Sequence, residues 1–491
     1  MKKIKGKNVT VTGLARSGVG AANLLTDLGA QVTVTDTKTE DKLQGFIAKL
    51  SAGVKRVLGE HPDHLFTSAD MIVISPGVPL NIKPLSLARS KGIPIISELE
   101  LAYQIINMRD AEFGMRNIQA GRETQFLAVT GTNGKSTTTA LLDFMMKKGG
   151  FKTILGGNIG NALTEEIHKQ SKENKEQIVD WLVAEISSFQ LEAISDFRPK
   201  GAAILNVTPD HLDRYHSIEE YGNAKARVFE NQTCDDFLVL NRDDPETMKI
   251  FNAKCKMPSP ASQSGLQNTK LPKVYFFSRK EKVEGFYSAN GKIWCNLPSL
   301  SLVPRPFPVI GIEEIKIKGV HNLENAMAAS AMALLAGCPA EAVIDSLRRF
   351  EGLEHRLEPV RELGGVTYIN DSKGTNVGAV QKSLESFSNP VILIAGGRDK
   401  AGEFSLLRDL VKERVKALIL IGEASEKIKK AIGDITQTVM AQSLKDAVEA
   451  SRDLAEKGDI VLLSPACASF DMFTDFEDRG RRFKRIVMEL K

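Results

Sequence analysis

The run Val129-Thr130-Gly131-Thr132-Asn133-Gly134-Lys135-Ser136-Thr137 carries the clearest chemistry in the chain. Its glycines let backbone N–H groups converge on phosphate oxygens, and a helix beginning beside them adds the partial positive charge of its N-terminus. Lys135 is then placed to neutralise the terminal phosphates of a nucleotide, and the hydroxyl of Ser136 or Thr137 to hold Mg²⁺. The full phosphate-loop pattern asks for Gly where Val129 stands, so this is a shortened GxxGKS form. A Gly-rich turn without chemical meaning is the bland alternative. The position between a strand pattern over 126–130 and a helix pattern over 138–148 weighs against it.

Two candidate ligands for metal or substrate lie downstream. Glu185 ends the apolar run 178–184, and an acidic residue leaving a buried strand beside a phosphate loop is suited to Mg²⁺. The next strand pattern, 202–207, runs into Thr208-Pro209-Asp210-His211-Leu212-Asp213 and brings His211 to the same sheet edge. A lone histidine is more often structural, but this location favours a ligand. Lys225 follows on a helix pattern over 218–230, where a solvated surface lysine is the ordinary reading.

Two further loops follow strand patterns. Gly13-Leu14-Ala15-Arg16-Ser17-Gly18 comes after a strand over 8–12 and before a helix over 19–28, and Asp36 closes a second strand over 31–35, a reduced dinucleotide fingerprint. A Rossmann unit binding NAD is the rival reading, yet Ala15 stands where the glycine that admits the pyrophosphate belongs. Near the C-terminus, Gly396-Gly397-Arg398-Asp399-Lys400 follows a strand over 391–395 and Ser469-Phe470 follows one over 460–463. Such loops, at the carboxyl ends of parallel strands, are where open α/β sheets bind ligands.

The elements that must position these residues follow an α/β rhythm. Short Val- and Ile-rich runs alternate with amphipathic segments of about 10 to 15 residues, which predicts βαβ units and parallel sheets. A length of 491 residues exceeds one core and predicts three domains. These are a Rossmann-like unit at 1–110, a central phosphate-loop unit at 111–352 and a Rossmann-like unit at 353–491. The low-periodicity segment 109–124 marks the first boundary, while 256–272 and 298–308 read as surface loops of the second unit. The third unit reads as one strand and then three strand-loop-helix repeats.

Composition excludes several classes. With 42% hydrophobic and 26% charged residues, and no apolar run near the roughly 20 residues a bilayer demands, no membrane span is expected. The basic start, Met1 to Lys7, leads into a strand rather than an apolar signal core, so no secretion signal is expected. The 5 cysteines contain no CxxC pair, which predicts neither a disulfide framework nor a zinc site and fits a reducing cytoplasm. A net charge of +4, spread along the chain, does not favour nucleic acid as a partner. A monomer is expected.

Taken in order, 131–137, Gly157-Asn158-Ile159-Gly160, Glu185-Ile186-Ser187-Ser188-Phe189-Gln190-Leu191, 206–213, 221–225 and His321-Asn322-x-x-Asn325 resemble the Mur ligases over nearly the whole chain. Within that family, Asp371-Ser372-Lys373-Gly374-Thr375-Asn376 and Ser464-Pro465-Ala466-Cys467-Ala468-Ser469-Phe470-Asp471 resemble the branch that adds D-glutamate. The resemblance implies a cytoplasmic ATP-dependent ligase acting on UDP-N-acetylmuramoyl-L-alanine through an acyl phosphate, in peptidoglycan precursor synthesis. It implies ATP on Gly131, Thr132, Asn133, Gly134, Lys135, Ser136 and Thr137, with Asn322 and Asn325 at the adenine and Arg356 and Asp371 across the domain gap. Lys135, Glu185, His211 and Lys225 are the implied catalytic residues. Two Mg²⁺ sites would draw on Ser136, Glu185, His211 and Lys225, the last as a carbamate, a modification that needs a neutral amine. The UDP-linked substrate would take Ala15, Arg16 and Ser17 for diphosphate, Asp36 and Thr37 for uracil, the turn of Ser75 and Gly77 as a wall, and Asn158. D-Glutamate would take Lys373, Thr375, Lys400, Ser469, Phe470 and Phe476. A folylpolyglutamate synthetase-type ligase is one rival, though its pterin leaves the first unit unexplained. A non-catalytic nucleotide-sugar sensor is another, against which Lys135, Glu185, His211 and Lys225 all count.

Overall fold

A computed structural model describes residues 4–112, 124–173, 179–212, 214–256, 271–297, 306–400 and 402–491. Most of the expected boundary segment 109–124 and of the expected loops 256–272 and 298–308 lies outside the described residues, as do residue 178 and Asp213. The chain forms three sheets. In the first, β1 (Asn8–Thr12), β2 (Gln31–Asp36), β3 (Lys55–Leu58), β4 (Met71–Ile74) and β5 (Ile95–Ser97) run parallel in the order β3-β2-β1-β4-β5. The order reverses at β1 and β4, so the turns after these two strands open side by side and form the crevice where such sheets bind ligands.

The central sheet holds β6 (Gln125–Thr130), β7 (Thr153–Gly157), β8 (Trp181–Glu185), β9 (Gly201–Ile204), β10 (Phe237–Asn241), β11 (Lys273–Ser278), β12 (Gly285–Ala289), β13 (Lys292–Asn296) and β14 (Phe307–Gly311). Their order is β14-β13-β12-β11-β10-β9-β6-β8-β7. The strand leading into the phosphate loop lies between β8 and β9, so Glu185 and the turn 208–211 flank that loop directly. The antiparallel pairs β12–β13 and β13–β14 depart from the expected parallel rhythm, and β14 occupies the end of the stretch 298–308 expected as a loop.

The third sheet, β15 (Glu358–Leu363), β16 (Val366–Asn370), β17 (Val391–Gly396), β18 (Val415–Ile421), β19 (Gln437–Met440) and β20 (Ile460–Leu463), has the order β15-β16-β20-β17-β18-β19, antiparallel only at β15. Each of β16 to β20 is followed by a helix, so the unit carries five strand-helix repeats and not three. Two helices also begin three residues earlier than expected, at Arg16 and Lys135, because Ala15 is extended and Gly134 is left-handed at φ +83°. The first helical turns therefore include Arg16, Ser17, Lys135 and Ser136. The helix expected over 218–230 ends at Ala226 and passes into a 3₁₀ turn at Arg227–Phe229.

The first and central units share one hydrophobic cluster, which runs from Val9, Leu24 and Leu25 through Leu163 to Ala128 and Ile204. The helices Arg16–Asp27 and Leu163–Glu173 meet closely at Gly20, where a Cβ would stand 2.8 Å from Thr164 Oγ1. Glu98 Oε1, fully buried, accepts from Thr164 N (2.6 Å) and Thr164 Oγ1 (2.7 Å). No helix among the described residues is long and apolar enough to cross a membrane.

Candidate active site

The phosphate loop turns on two glycines in the left-handed half of φ, Gly131 at +151° and Gly134 at +83°. A Cβ on Gly134 would stand 2.3 Å from Asn325 Oδ1, so only glycine fits between the loop and the helix Val320–Leu335. Thr138 Oγ1 donates to Asn325 Oδ1 (3.1 Å) and Asn325 Nδ2 to Asn322 Oδ1 (3.2 Å), which seats both asparagines beside the loop. Asn206, at the end of the β9 segment, braces the tip by accepting from Asn133 N (2.8 Å). Lys135 Nζ folds back to donate to Gly131 O and Thr132 O (each 2.8 Å).

Behind the loop, Lys225 is 1% exposed and its Nζ donates to Gly131 O (2.9 Å). Its ammonium stands 4.2 Å from the Tyr221 ring centroid. Burial and then the charge of Lys135 hold this amine well below the ordinary lysine range. Burial also lowers Lys135 itself, against the pull of Glu185. Glu185 is 2% exposed; its Oε1 accepts from Asn158 Nδ2 (2.7 Å), while its buried Oε2 has no partner among the described residues. His211 adopts φ +55° and packs edge-on to Phe189 at 4.9 Å, with Nε2 at 3.7 Å from Asp210 Oδ2.

The third unit closes over this edge through polar contacts. Arg356 NH2 donates to Ser136 Oγ (2.9 Å), and Asn376 Nδ2 to Asp210 Oδ2 (3.3 Å). Asp371 sits at the end of β16 beneath the Ser383 and Ser464 hydroxyls (each 2.7 Å); burial raises its carboxyl to about 6 despite those donors and the charge of Arg356. Lys373 is lowered to about 8 by burial and then by Arg356, and its Nζ lies 3.6 Å from the Phe476 ring centroid.

Between the two units lies a cleft of about 210 Å³ lined by Thr132, Asn133, Gly134, Lys135, Thr137, Asn158, Glu185, His211, Asn322, Asn325, Arg356, Asp371, Lys373, Thr375 and Lys400. It continues into a second cleft of about 400 Å³ that adds Asp243, Arg279, Glu324 and Leu406. Gly131, Ser136 and Lys225 stand behind its lining. Ser469, Phe470 and Phe476 line neither cleft: Phe476 lies under Lys373, Ser469 is buried, and Phe470 is 63% exposed. Lys382 lines both clefts, and with Arg356 it helps burial lower His321 to about 4. Nothing in the spacing of Lys382 or Asp210 singled them out.

A third cleft, of about 440 Å³, opens over the first sheet and is lined by Ala15, Arg16, Ser17, Asp36, Thr37, Ser75, Gly77 and Asn158, with Lys38, Phe46 and His61 beside them. Asp36 holds its shape, Oδ2 accepting from Leu14 N (2.7 Å) and Oδ1 from Lys38 N (2.8 Å). Asn158 borders this cleft and the phosphate cleft alike. Arg214 ties the two sides together: it donates to Pro76 O (3.0 Å) and Glu192 Oε2 (2.5 Å) and lies 4.3 Å from the Phe189 ring that supports His211.

These features define a three-domain α/β enzyme whose phosphate loop faces a second, nucleotide-sized cleft. The chain belongs to the Mur ligase family: it matches the Mur ligase MurD-like N-terminal domain at residues 7–97, the Mur ligase middle domain at 129–333 and the Mur ligase glutamate ligase domain at 355–467. It is 45% identical over 490 residues to the UDP-N-acetylmuramoylalanine--D-glutamate ligase of Geotalea daltonii, covering 99% of this chain and 98% of that one. The enzyme of the same name from Pelotomaculum thermopropionicum is 41% identical, with 100% and 99% covered. Among solved structures, the chain shares its fold with the MurF ligase of Thermotoga maritima in complex with ADP, at a TM-score of 0.58 and 15% identity over 100% of this chain and 99% of that one.

Proposed function

We propose that this enzyme joins D-glutamate to the L-alanyl carboxylate of UDP-N-acetylmuramoyl-L-alanine at the expense of ATP, in cytoplasmic synthesis of peptidoglycan precursors. The observation that carries the reading is Asn158, which borders both the sugar-nucleotide cleft and the phosphate cleft and hydrogen-bonds Glu185 at their junction. A sugar-linked acid lying in the first cleft thereby meets the end of a triphosphate in the second. The names of relatives 41% to 45% identical support the same reaction. A folylpolyglutamate-type ligase would leave the cleft over the first sheet without a ligand.

A carboxylate resists an amine because its resonance-stabilised anion has no leaving group. The L-alanyl carboxylate oxygen attacks the γ-phosphorus of ATP, ADP departs, and the carboxylate becomes an acyl phosphate. Lys135, the loop amides and Arg356 offset charge on the phosphates during transfer. The D-glutamate amine then attacks the acyl carbon, loses a proton, and the tetrahedral intermediate expels phosphate. Enclosure between the central and third units keeps water from the acyl phosphate. In this reading 1–110 binds UDP, 111–352 binds ATP, and 353–491 brings Lys373, Thr375 and Lys400 to D-glutamate, with Phe476 supporting Lys373 from beneath and Ser469 and Phe470 in the loop beside them. The enzyme is taken to act as a monomer.

Mg²⁺ fits the donors present. Glu185 Oε2 is a buried carboxylate oxygen without a partner among the described residues. Ser136 and His211 are the further candidates, with Lys225 as a carbamate, for which a buried amine depressed by Lys135 is suited. The ion would neutralise phosphate charge there. The test is phosphate release from ATP with UDP-N-acetylmuramoyl-L-alanine and D-glutamate, L-glutamate or no amino acid. Release that depends on the D-isomer is expected; release indifferent to the amino acid rejects the reading.

A further inference from the structure

In the cleft over the first sheet, one side chain is aimed by a count of hydrogens. Thr35 Oγ1 has two close polar neighbours, Glu60 O at 2.8 Å and His61 Nδ1 at 3.0 Å. A carbonyl only accepts, so the single hydroxyl hydrogen goes to Glu60, and the hydroxyl oxygen must accept from Nδ1–H of His61. The imidazole is therefore the Nδ1–H tautomer, with a bare lone pair on Nε2. No hydrogen bond to a described residue engages Nε2, and His61 lines the cleft. Burial, acting against the nearby charge of Asp36, lowers the imidazole below its ordinary value, in keeping with a neutral ring at neutral pH.

The surroundings suit a flat heterocycle. Phe46, Pro79 and Ile82 give the same cleft apolar walls, and Lys38 adds a cationic donor. Asp36, the other acceptor there, receives one backbone N–H on each carboxylate oxygen and keeps a further lone pair on each. We propose that His61 selects uracil in this cleft, its Nε2 lone pair accepting the N3–H that uracil carries and cytosine lacks. Cytosine would turn its own N3 lone pair toward Nε2, two acceptors face to face. A site built to accept a hydrogen bond rejects an analogue that cannot donate it far more strongly than a merely apolar site does.

The inference rests on reading this cleft as the UDP site, and the experiment separates the two. Titration calorimetry of the full chain with UDP, CDP and N3-methyl-UDP is expected to show UDP binding about tenfold tighter than either analogue. His61→Phe keeps the bulk of the ring and should bring the UDP-to-CDP ratio near one by weakening UDP; His61→Gln, which restores an acceptor, should keep most of the preference. Failure of the natural chain to bind UDP would overturn the cleft reading itself. UDP binding with the preference intact in His61→Phe, or N3-methyl-UDP binding as tightly as UDP, would overturn the role of His61 alone.

Discussion

The first and third units are built alike, each a largely parallel sheet flanked by helices, and they are joined to the central unit by different physics. The first shares a continuous apolar cluster with it, together with the buried Glu98–Thr164 contact and the His168–Asp27 pair at 2.6 Å. The clusters of the third unit draw only on its own residues, from Leu357 onward. It meets the central unit through Arg356–Ser136, Asn376–Asp210, and the Ser386 hydroxyl against His321 Nδ1 at 3.2 Å. Separating an apolar interface exposes area to water at a cost of roughly 25 cal/mol per Å². A polar seam exchanges its hydrogen bonds for water at little net cost. The first seam therefore acts as a fixed joint and the second as the side that opens, and the proposed ATP and D-glutamate sites lie along the second.

The largest effect that would sharpen this contrast comes from Lys225, which serves the opening side while lying wholly within the central unit. In Lys225→Ala, amide formation should fall by on the order of 10³-fold, since the carbamate proposed to hold metal at the transferring phosphate would be lost. Binding of UDP-N-acetylmuramoyl-L-alanine, measured by calorimetry, should stay close to that of the natural chain, and millimolar short carboxylic acids should restore part of the rate. An active Ala variant would remove the carbamate from the mechanism. Next in size is Arg356→Ala, which cuts the seam between the units. A hydrogen bond from a charged donor contributes about 2 kcal/mol, so ATP should bind some 30-fold more weakly while the melting temperature barely moves. A large fall in melting temperature with ATP affinity unchanged would mean that Arg356 is a structural strut and that the second seam is no looser than the first.

How far these features can be read in the sequence depends on their range. β1 and β20 were expected over the residues at which they occur, because short apolar runs between turn residues leave little choice of register. The helix starts at Arg16 and Lys135 precede the first periodic residues because the opening turns, Arg-Ser-Gly and Lys-Ser-Thr, are polar and show no period. One repeat of the third unit has no apolar signature in the sequence, because β19, an edge strand, is half-exposed and lacks an apolar run. Local loop chemistry made 131–137 legible. The meeting of Arg356 with Ser136, separated by 220 positions, depends on tertiary structure and carries no local signal. The tautomer of His61 is likewise set by Thr35, a partner 26 positions away.

The smallest effect tests the fixed joint. Glu98 is buried at the first seam, with Oε2 lacking a partner among the described residues, and burial raises its carboxyl above the ordinary value of 4.5 despite the two bonds from Thr164. Between that value and the raised one, the folded chain holds a proton that the unfolded chain has released. Stability must therefore fall as pH rises through the folded value, and the full contribution of the neutral form is present only below 4.5. Glu98→Gln keeps a neutral side chain with an acceptor for Thr164, so its melting temperature should match the natural chain near pH 4.5 and exceed it by a few degrees at pH 8. A variant that melts lower at pH 8 would show that the ionised carboxylate stabilises this joint, and the seam would then be held by charge as well as by apolar area.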